Sequence, residues 1–175
     1  MTKILRFFDS ILVVLASRLL VASYRRFGYA PVATQFSLVL ACNVVSGVAG
    51  CYLISRWTLP DALTGLLMIV GMANVLWVTS SSAPYKRIWT QNMYERVAMQ
   101  ARARYRDRMF ERLVSSLSAV LCCIGALITL AGGQMTGSAV FAGLGALSLS
   151  GAISGYLRAA PPPVPDQVAL HLLKD

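Results

Sequence analysis

Residues 80–112, SSSAPYKRIWTQNMYERVAMQARARYRDRMFER, form a strongly basic stretch that separates two pairs of apolar segments. Eight of the 16 Lys and Arg residues lie here against three acidic residues, so the stretch carries a net charge of +5. The basic residues are Lys86, Arg87, Arg96, Arg102, Arg104, Arg106, Arg108 and Arg112. Such a stretch crosses a bilayer with difficulty and stays on the cytoplasmic side, so it predicts the orientation of the segments around it.

The composition of the whole chain is typical of a membrane protein. Of its 175 residues, 57% are hydrophobic and 13% are charged, about half the charged fraction of a soluble domain. A helix needs roughly 20 apolar residues to cross a bilayer, and four segments meet this requirement. They cover residues 34–55, 61–80, 113–131 and 137–157, and Asp61, at the outer edge of the second, is their only Asp, Glu, Lys, Arg or His.

These segments predict an all-α membrane protein with four transmembrane helices in two antiparallel hairpins. The chain then divides into five regions: an N-terminal interfacial region (1–32), a first transmembrane hairpin (33–80), a basic cytoplasmic helical loop (81–112), a second transmembrane hairpin (113–157) and a Pro-rich cytoplasmic tail (158–175). Residues 1–32 carry a net charge of +4, whereas the two tight hairpin connections hold one basic residue between them. Both termini are therefore expected in the cytoplasm.

The N-terminal segment ILRFFDSILVVLASRLLVAS, residues 4–23, is a more ambiguous apolar stretch. Its uninterrupted apolar core is short, because Arg6, Asp9 and Arg18 interrupt the wider segment. On a helical wheel the charged residues gather on one broad face, and Leu5, Phe8, Leu12, Leu15, Ala16 and Leu19 gather on the other. This pattern favours an amphipathic helix lying on the inner leaflet, with a fifth span over residues 4–22 as the alternative.

The basic loop carries a mild apolar stripe at helical spacing, and no Gly or Pro interrupts residues 86–124. We expect a cytoplasmic helix that can continue into the third span. Arg96, Arg102, Arg104, Arg106 and Arg108 are its candidate interaction residues. Three kinds of partner fit this helix: anionic lipid headgroups, a soluble protein partner, and nucleic acid, because Tyr and Arg alternate there.

Small and polar residues inside the spans predict helix–helix contacts. Gly151-x-x-x-Gly155 in the fourth span permits close backbone approach, either within the bundle or against another membrane subunit or a second copy of the chain. Asn43 and Asn74 are the amides of the first two spans. If these spans form a hairpin, the two side chains lie at similar depth, and we expect an Asn43–Asn74 hydrogen bond, with a polar pore as the alternative.

Nothing in the sequence indicates catalysis. The four cysteines all fall within spans without a metal-binding spacing, the single His171 lies in the tail, and no phosphate-binding loop or paired carboxylates appear, so we expect no catalytic residue, no metal and no cofactor. These observations favour a non-enzymatic subunit of a larger membrane assembly. The alternative is a self-oligomerising, membrane-permeabilising or channel-forming protein.

The whole layout resembles the small polytopic inner-membrane proteins of IncI-type conjugation systems, the TraQ-like proteins, which are related to the DotE/IcmC group of type IVB secretion systems. The resemblance covers the basic start MTKILRFFDSILVVLASRLLVASYRRFGYAP, the paired spans and the loop KRIWTQNMYERVAMQARARYRDRMFERL. It implies a multi-pass protein of the bacterial inner membrane, part of a machine that moves DNA or protein between cells. It carries over no catalytic residues.

Overall fold

The computed structural model describes residues 2–27, 31–80 and 90–164, and within these ranges the chain forms helices and no strand. The side chains of residues 2, 3, 32, 78–80, 106 and 107 lie outside this description. The described helices are α1 (Thr2–Phe27), α2 (Pro31–Ser55), α3 (Leu59–Ser80), α4 (Gln91–Asp107), α5 (Met109–Ala131) and α6 (Met135–Ala159).

Four of these helices are long and apolar enough to cross a membrane: residues Ala33–Ser55, Leu59–Trp77, Met109–Ala131 and Met135–Ala159. The prediction of an all-helical chain with four candidate membrane spans is therefore confirmed for the described residues. Large apolar side chains such as Leu67, Leu127 and Ile128 point away from the bundle, as lipid-facing side chains do. The third span begins four residues earlier than expected, so it includes Arg112.

Helix α6 is central, because it packs against each of the other described helices, most extensively against α5 and α2. Its glycines permit this close packing. A Cβ atom at Gly145 would lie 3.0 Å from Cβ of Cys122 in α5. At Gly143 it would overlap the Met68 side chain and would lie 3.2 Å from Cβ of Ala49. Most of the small residues of α6 are therefore used within the chain.

Helices α2 and α3 approach each other most closely where two glycines meet. A Cβ atom at Gly50 would lie 3.0 Å from the carbonyl oxygen of Gly65, and one at Gly65 would overlap the carbonyl oxygen of Gly50. The turn between the helices contains Trp57, whose φ of 57° is in the left-handed region. Helix α3 then begins with a hydrogen bond from the Ala62 N–H to the Thr58 carbonyl at 2.9 Å.

Helices α4 and α5 are separate, so the expected continuation of the basic helix into the third span is wrong. The break occurs at Arg108, whose φ of −116° and ψ of 23° are not helical. Neither Gly nor Pro causes it. Instead, the guanidinium of Arg112 donates hydrogen bonds to the backbone carbonyls of Arg104 and Tyr105, at 2.9 Å each. These bonds satisfy two of the carbonyl groups at the end of α4.

Both ends of α1 contact the same end of the bundle. Asp9 reaches Arg112 in the first turn of α5, and Ser23 shares a 2.8 Å hydrogen bond with Thr34 in the first turn of α2. A helix rises 1.5 Å per residue, so these positions of α1 lie about 21 Å apart along its axis. Between these two contacts, Val13, Ala16 and Leu20 of α1 share a buried cluster with Ala152, Tyr156 and Leu157 of α6.

Candidate functional site

The most unusual polar feature of the described structure is a buried ion pair between Asp9 and Arg112. Nη2 of Arg112 lies 2.7 Å from Oδ2 of Asp9, and Nε lies 3.1 Å from Oδ1. Both side chains are only 2% exposed. Two parallel N–H···O bonds of this kind form the strongest and most geometrically restrictive pairing of an arginine with a carboxylate.

The remaining contacts of Arg112 connect it to two further helices. Its bonds to the carbonyls of Arg104 and Tyr105 bring its donated hydrogen bonds to four, out of five N–H groups on a guanidinium. Its Cζ lies 5.7 Å from the ring centroid of Tyr105 and 5.6 Å from that of Tyr156, within cation–π range. One side chain of α5 thus holds α1, α4 and α6 together.

Gly155 makes room for Arg112. A Cβ atom at Gly155 would lie 2.9 Å from Cγ of Arg112 and 3.5 Å from Cδ, so the methylene groups of the arginine rest on the bare backbone of α6. At Gly151 a Cβ atom would lie 3.7 Å from Oγ of Ser115, an ordinary contact distance. The two glycines of the predicted Gly-x-x-x-Gly pattern therefore differ: Gly155 seats the arginine, and Gly151 is exposed.

The sequence pattern does not reveal this ion pair. It assigns Asp9 to the polar face of an interfacial helix and Arg112 to the basic loop, whereas the structure buries both. One signal was present: Asp9 is the only acidic residue within residues 1–32, and it lies between Phe8 and Ile11 in an otherwise apolar stretch. A carboxylate in such surroundings needs a cationic partner.

A second polar cluster lies beside the first and joins α2 to α6. We assign the Gln35 amide with its oxygen toward Arg158, because the opposite orientation would point NH₂ hydrogens at guanidinium donors. That oxygen then accepts hydrogen bonds from Nε of Arg158 at 2.9 Å, from Nη2 at 3.2 Å and from Oγ of Ser154 at 2.8 Å. Gln35 is 5% exposed, so a buried amide fixes the position of this arginine.

The two clusters border a cavity of about 360 Å³, which we call the arginine cavity. Its charged lining residues are Arg104, Arg108, Glu111, Arg112 and Arg158, and its remaining lining residues are Ser115, Gly151, Ser154 and Gly155. It lies where α4, the start of α5 and the end of α6 meet. Four cations against one acid make it a strongly positive recess.

The structure separates the predicted interaction residues of the basic helix into two groups. Arg104 and Arg108 line the arginine cavity. Arg96 and Arg102 are exposed on the outer side of α4, where Met99 is 63% exposed. The side chain of Arg106 lies outside the described part of the structure, and so do Lys86 and Arg87.

The prediction of a hydrogen bond between Asn43 and Asn74 is wrong. Asn43 is fully buried, and its Nδ2 donates to the Val39 carbonyl of its own helix at 2.7 Å. Its Oδ1 has no partner among the described residues. Asn74 is exposed, because the face of α3 that meets α2 contains Gly65, Met68 and Met72, and Asn74 lies on the opposite side of the helix.

Within the described ranges, no three His, Cys, Asp or Glu residues are grouped closely enough to hold a metal ion. His171 lies outside those ranges. Comparison with protein-family models, with curated protein sequences and with solved structures gives no match to this chain. The geometry of the described residues therefore carries most of the evidence on its function. That geometry comprises three features: the junction of α4 and α5 fixed by Arg112, the exposed outer side of α4, and the arginine cavity.

Proposed function

We propose that this chain is a non-enzymatic integral inner-membrane subunit of a multi-protein assembly, a bacterial conjugative DNA-transfer or type IV secretion apparatus. One observation carries the proposal: α4 is fixed to the membrane bundle through Arg112, yet its outer side is left open. A helix that served only as an orientation signal has no need of two hydrogen bonds and a ring contact from a buried arginine at its end. A rigidly mounted helix is what a docking surface for a partner subunit requires.

The proposed topology places α2 with α3 and α5 with α6 as antiparallel hairpins, with α4 and both termini in the cytoplasm. Extensive packing within each pair supports the hairpins, and the distribution of Lys and Arg supports the orientation. In this arrangement α1 lies in the inner-leaflet interface. The gathering of charged residues on one face of α1 supports this placement, and the exposed Phe7 and Phe8 would dip into the lipid,.

The docking surface would be the outer side of α4, which we define as Arg96, Met99 and Arg102. Exposed methionine flanked by arginine is typical of protein interfaces, where both residue types are enriched. The net positive charge of the helix favours an acidic partner and speeds its encounter. The resemblance to TraQ-like and DotE/IcmC proteins is what directs the proposal to a conjugation or secretion machine.

Affinity purification in a mild detergent from the native host tests this proposal, with native gels for size and mass spectrometry for composition. We expect a discrete high-mass complex that contains other membrane subunits. The variant Arg96→Gln/Arg102→Gln should insert normally and lose those subunits. Arg56→Gln provides a control, because Arg56 is exposed in the turn at the other end of the bundle. Retention of every subunit by the α4 variant would contradict the assigned docking surface.

The alternative function is a self-oligomerising, membrane-permeabilising protein, and the open surface at Gly151 favours it. A small residue exposed on a span allows a second helix to approach closely. Overproduction distinguishes the two functions: a pore former should collapse the membrane potential, whereas an orphan subunit should leave it intact. If the potential collapses and Gly151→Leu prevents the collapse, the subunit proposal is wrong.

A further inference from the structure

The positive charge in the arginine cavity is only partly neutralised by the protein. Arg112 is fully paired with Asp9. Arg108 lies 3.5 Å from Glu111, but both side chains are about two-thirds exposed, at 65% and 68%, so their attraction is weak. Neither Arg104 nor Arg158 forms an ion pair with a carboxylate in the part of the chain that the structure describes. Two guanidinium groups therefore face the same recess without an acidic partner.

Hydrogen bonds to neighbouring groups fix the positions of Arg158 and of the backbone at Arg104. The Gln35 amide accepts two hydrogen bonds from Arg158, and a neutral acceptor orients the guanidinium without cancelling its charge. The backbone carbonyl of Arg104 accepts from Arg112, which fixes the last turn of α4 over the cavity. Arg104, Arg108 and Arg158 line the same cavity, so the three like charges repel one another. A bound anion would relieve this repulsion.

We propose that the arginine cavity binds the phosphate group of an anionic phospholipid. Arginine donors arranged in a fork match the oxygen atoms of a phosphate group. The volume of about 360 Å³ lies in the range of small-ligand pockets. Oγ of Ser115 and Oγ of Ser154, one helical turn farther into the bundle, provide hydroxyl groups beside the glycerol portion of such a lipid.

The position of the cavity favours a lipid over a soluble phosphate. The cavity lies where the candidate span α5 begins and α6 ends, which is the depth of the headgroups. Its lining includes Gly151, which is exposed on the side of the span, so an acyl chain can leave the cavity along α6 without meeting a side chain at that position. Basic pockets between spans at the cytoplasmic surface are recognised binding places for anionic headgroups.

Native mass spectrometry of the full-length protein in neutral detergent tests the proposal, with phosphatidylglycerol, phosphatidylcholine and inorganic phosphate as separate probes. We expect discrete binding of phosphatidylglycerol and much weaker binding of phosphatidylcholine. The affinity for phosphatidylglycerol should fall about fivefold for each arginine removed, in Arg158→Gln and in the double variant Arg104→Gln/Arg108→Gln. Glu111→Gln should bind more tightly, because it removes the only acid among the described residues that line the cavity.

The double variant Arg96→Gln/Arg102→Gln is the matched control, since it removes two charges from the outer side of the same helix. If Arg158→Gln fails to fold, Arg104→Gln/Arg108→Gln still tests the proposal. Among the described side-chain interactions, this double variant removes only the exposed contact between Arg108 and Glu111. Equal loss in the two double variants would show general charge attraction and overturn the proposal. Saturable binding of inorganic phosphate that displaces no phosphatidylglycerol would overturn the assignment of the cavity to a lipid.

Discussion

Asp9 and Arg112 are 103 positions apart in the chain and form two hydrogen bonds of 3.1 and 2.7 Å in a site from which solvent is excluded. The same arginine, in the first turn of α5, donates hydrogen bonds to carbonyls at the end of α4 and lies against Gly155 of α6. Burial of an ion pair is costly, and a better-packed apolar pair is often as stable. What the pair provides here is a fixed relative position for four helices.

Removal of one partner should be far more harmful than removal of both. Asp9→Ala leaves a buried guanidinium without its counter-charge, and we expect a loss of about 3–5 kcal/mol in the free energy of unfolding. Asp9→Leu/Arg112→Met should recover a large part of this loss. Reversible unfolding in mixed micelles of the double variant and of the single variants Asp9→Leu and Arg112→Met gives the coupling energy between the two residues, and Asp9→Ala is measured in the same way. Additive effects of the single changes would mean that the two groups do not interact.

The two glycines four residues apart in α6 should respond differently to the same substitution. Gly155→Ala places a methyl group against Cγ of an arginine that cannot move without losing its bonds, and we expect a loss of about 1–3 kcal/mol. Gly151→Ala meets no close neighbour and should be neutral or slightly stabilising, because alanine favours helix. Thermal unfolding in detergent compares them. Equal effects would show that Gly155 does not seat Arg112.

The contact between α2 and α3 provides a second matched pair. Gly65→Ala would drive a methyl group into the backbone of Gly50, so the helices must separate, and a loss of about 1–3 kcal/mol is expected. A Cβ atom at Gly71 lies 3.4 Å from Cδ1 of Leu147, the flexible tip of a side chain, so Gly71→Ala should be tolerated. Protease resistance of the purified variants during heating ranks them. A tolerated Gly65→Ala would place the two helices farther apart.

The buried amide of Asn43 should be dispensable for stability. Its Oδ1 is unpartnered among the described residues, and an unsatisfied buried acceptor costs about 1–3 kcal/mol. Asn43→Leu, which keeps the number and branching of the side-chain heavy atoms, should therefore be neutral or stabilising in a chemical unfolding titration. A hydrogen bond to Asn74 predicts the opposite: Asn43→Leu and Asn74→Leu would then each lower stability, with non-additive effects in the double variant.

The sequence predicted those features that depend on local composition. Four runs of apolar residues gave the four candidate spans, because length and hydropathy alone determine which helices fit a bilayer. Asn43 was placed correctly inside a span, but its partner was inferred from depth. Depth along a helix follows from residue number, whereas the face that meets a neighbour depends on how two helices rotate against each other, and Asn74 lies on the wrong face.

The features that the sequence did not predict all depend on contacts between distant parts of the chain. Nothing near Arg108 marks a helix break, because the break is stabilised by a side chain that also binds Asp9. Gly155 was recognised as a close-contact residue, but its partner was expected to be another helix backbone. The Asp9–Arg112 pair explains both departures. The arrangement of Gln35, Arg158 and Arg104 around one cavity likewise requires three helices to be in position.

The Asp9–Arg112 pair also has a consequence for biosynthesis. A ribosome adds about 5–20 residues per second, so Arg112 emerges roughly 5–20 s after Asp9. During that interval the Asp9 carboxylate lacks its counter-charge, so this contact of α1 forms later than the contact between Ser23 and Thr34 can form. Its formation requires that the second half of the chain has been made. A chain truncated before residue 112 would leave Asp9 without this partner, and we expect the first part of α1 to be more accessible to quality-control proteases.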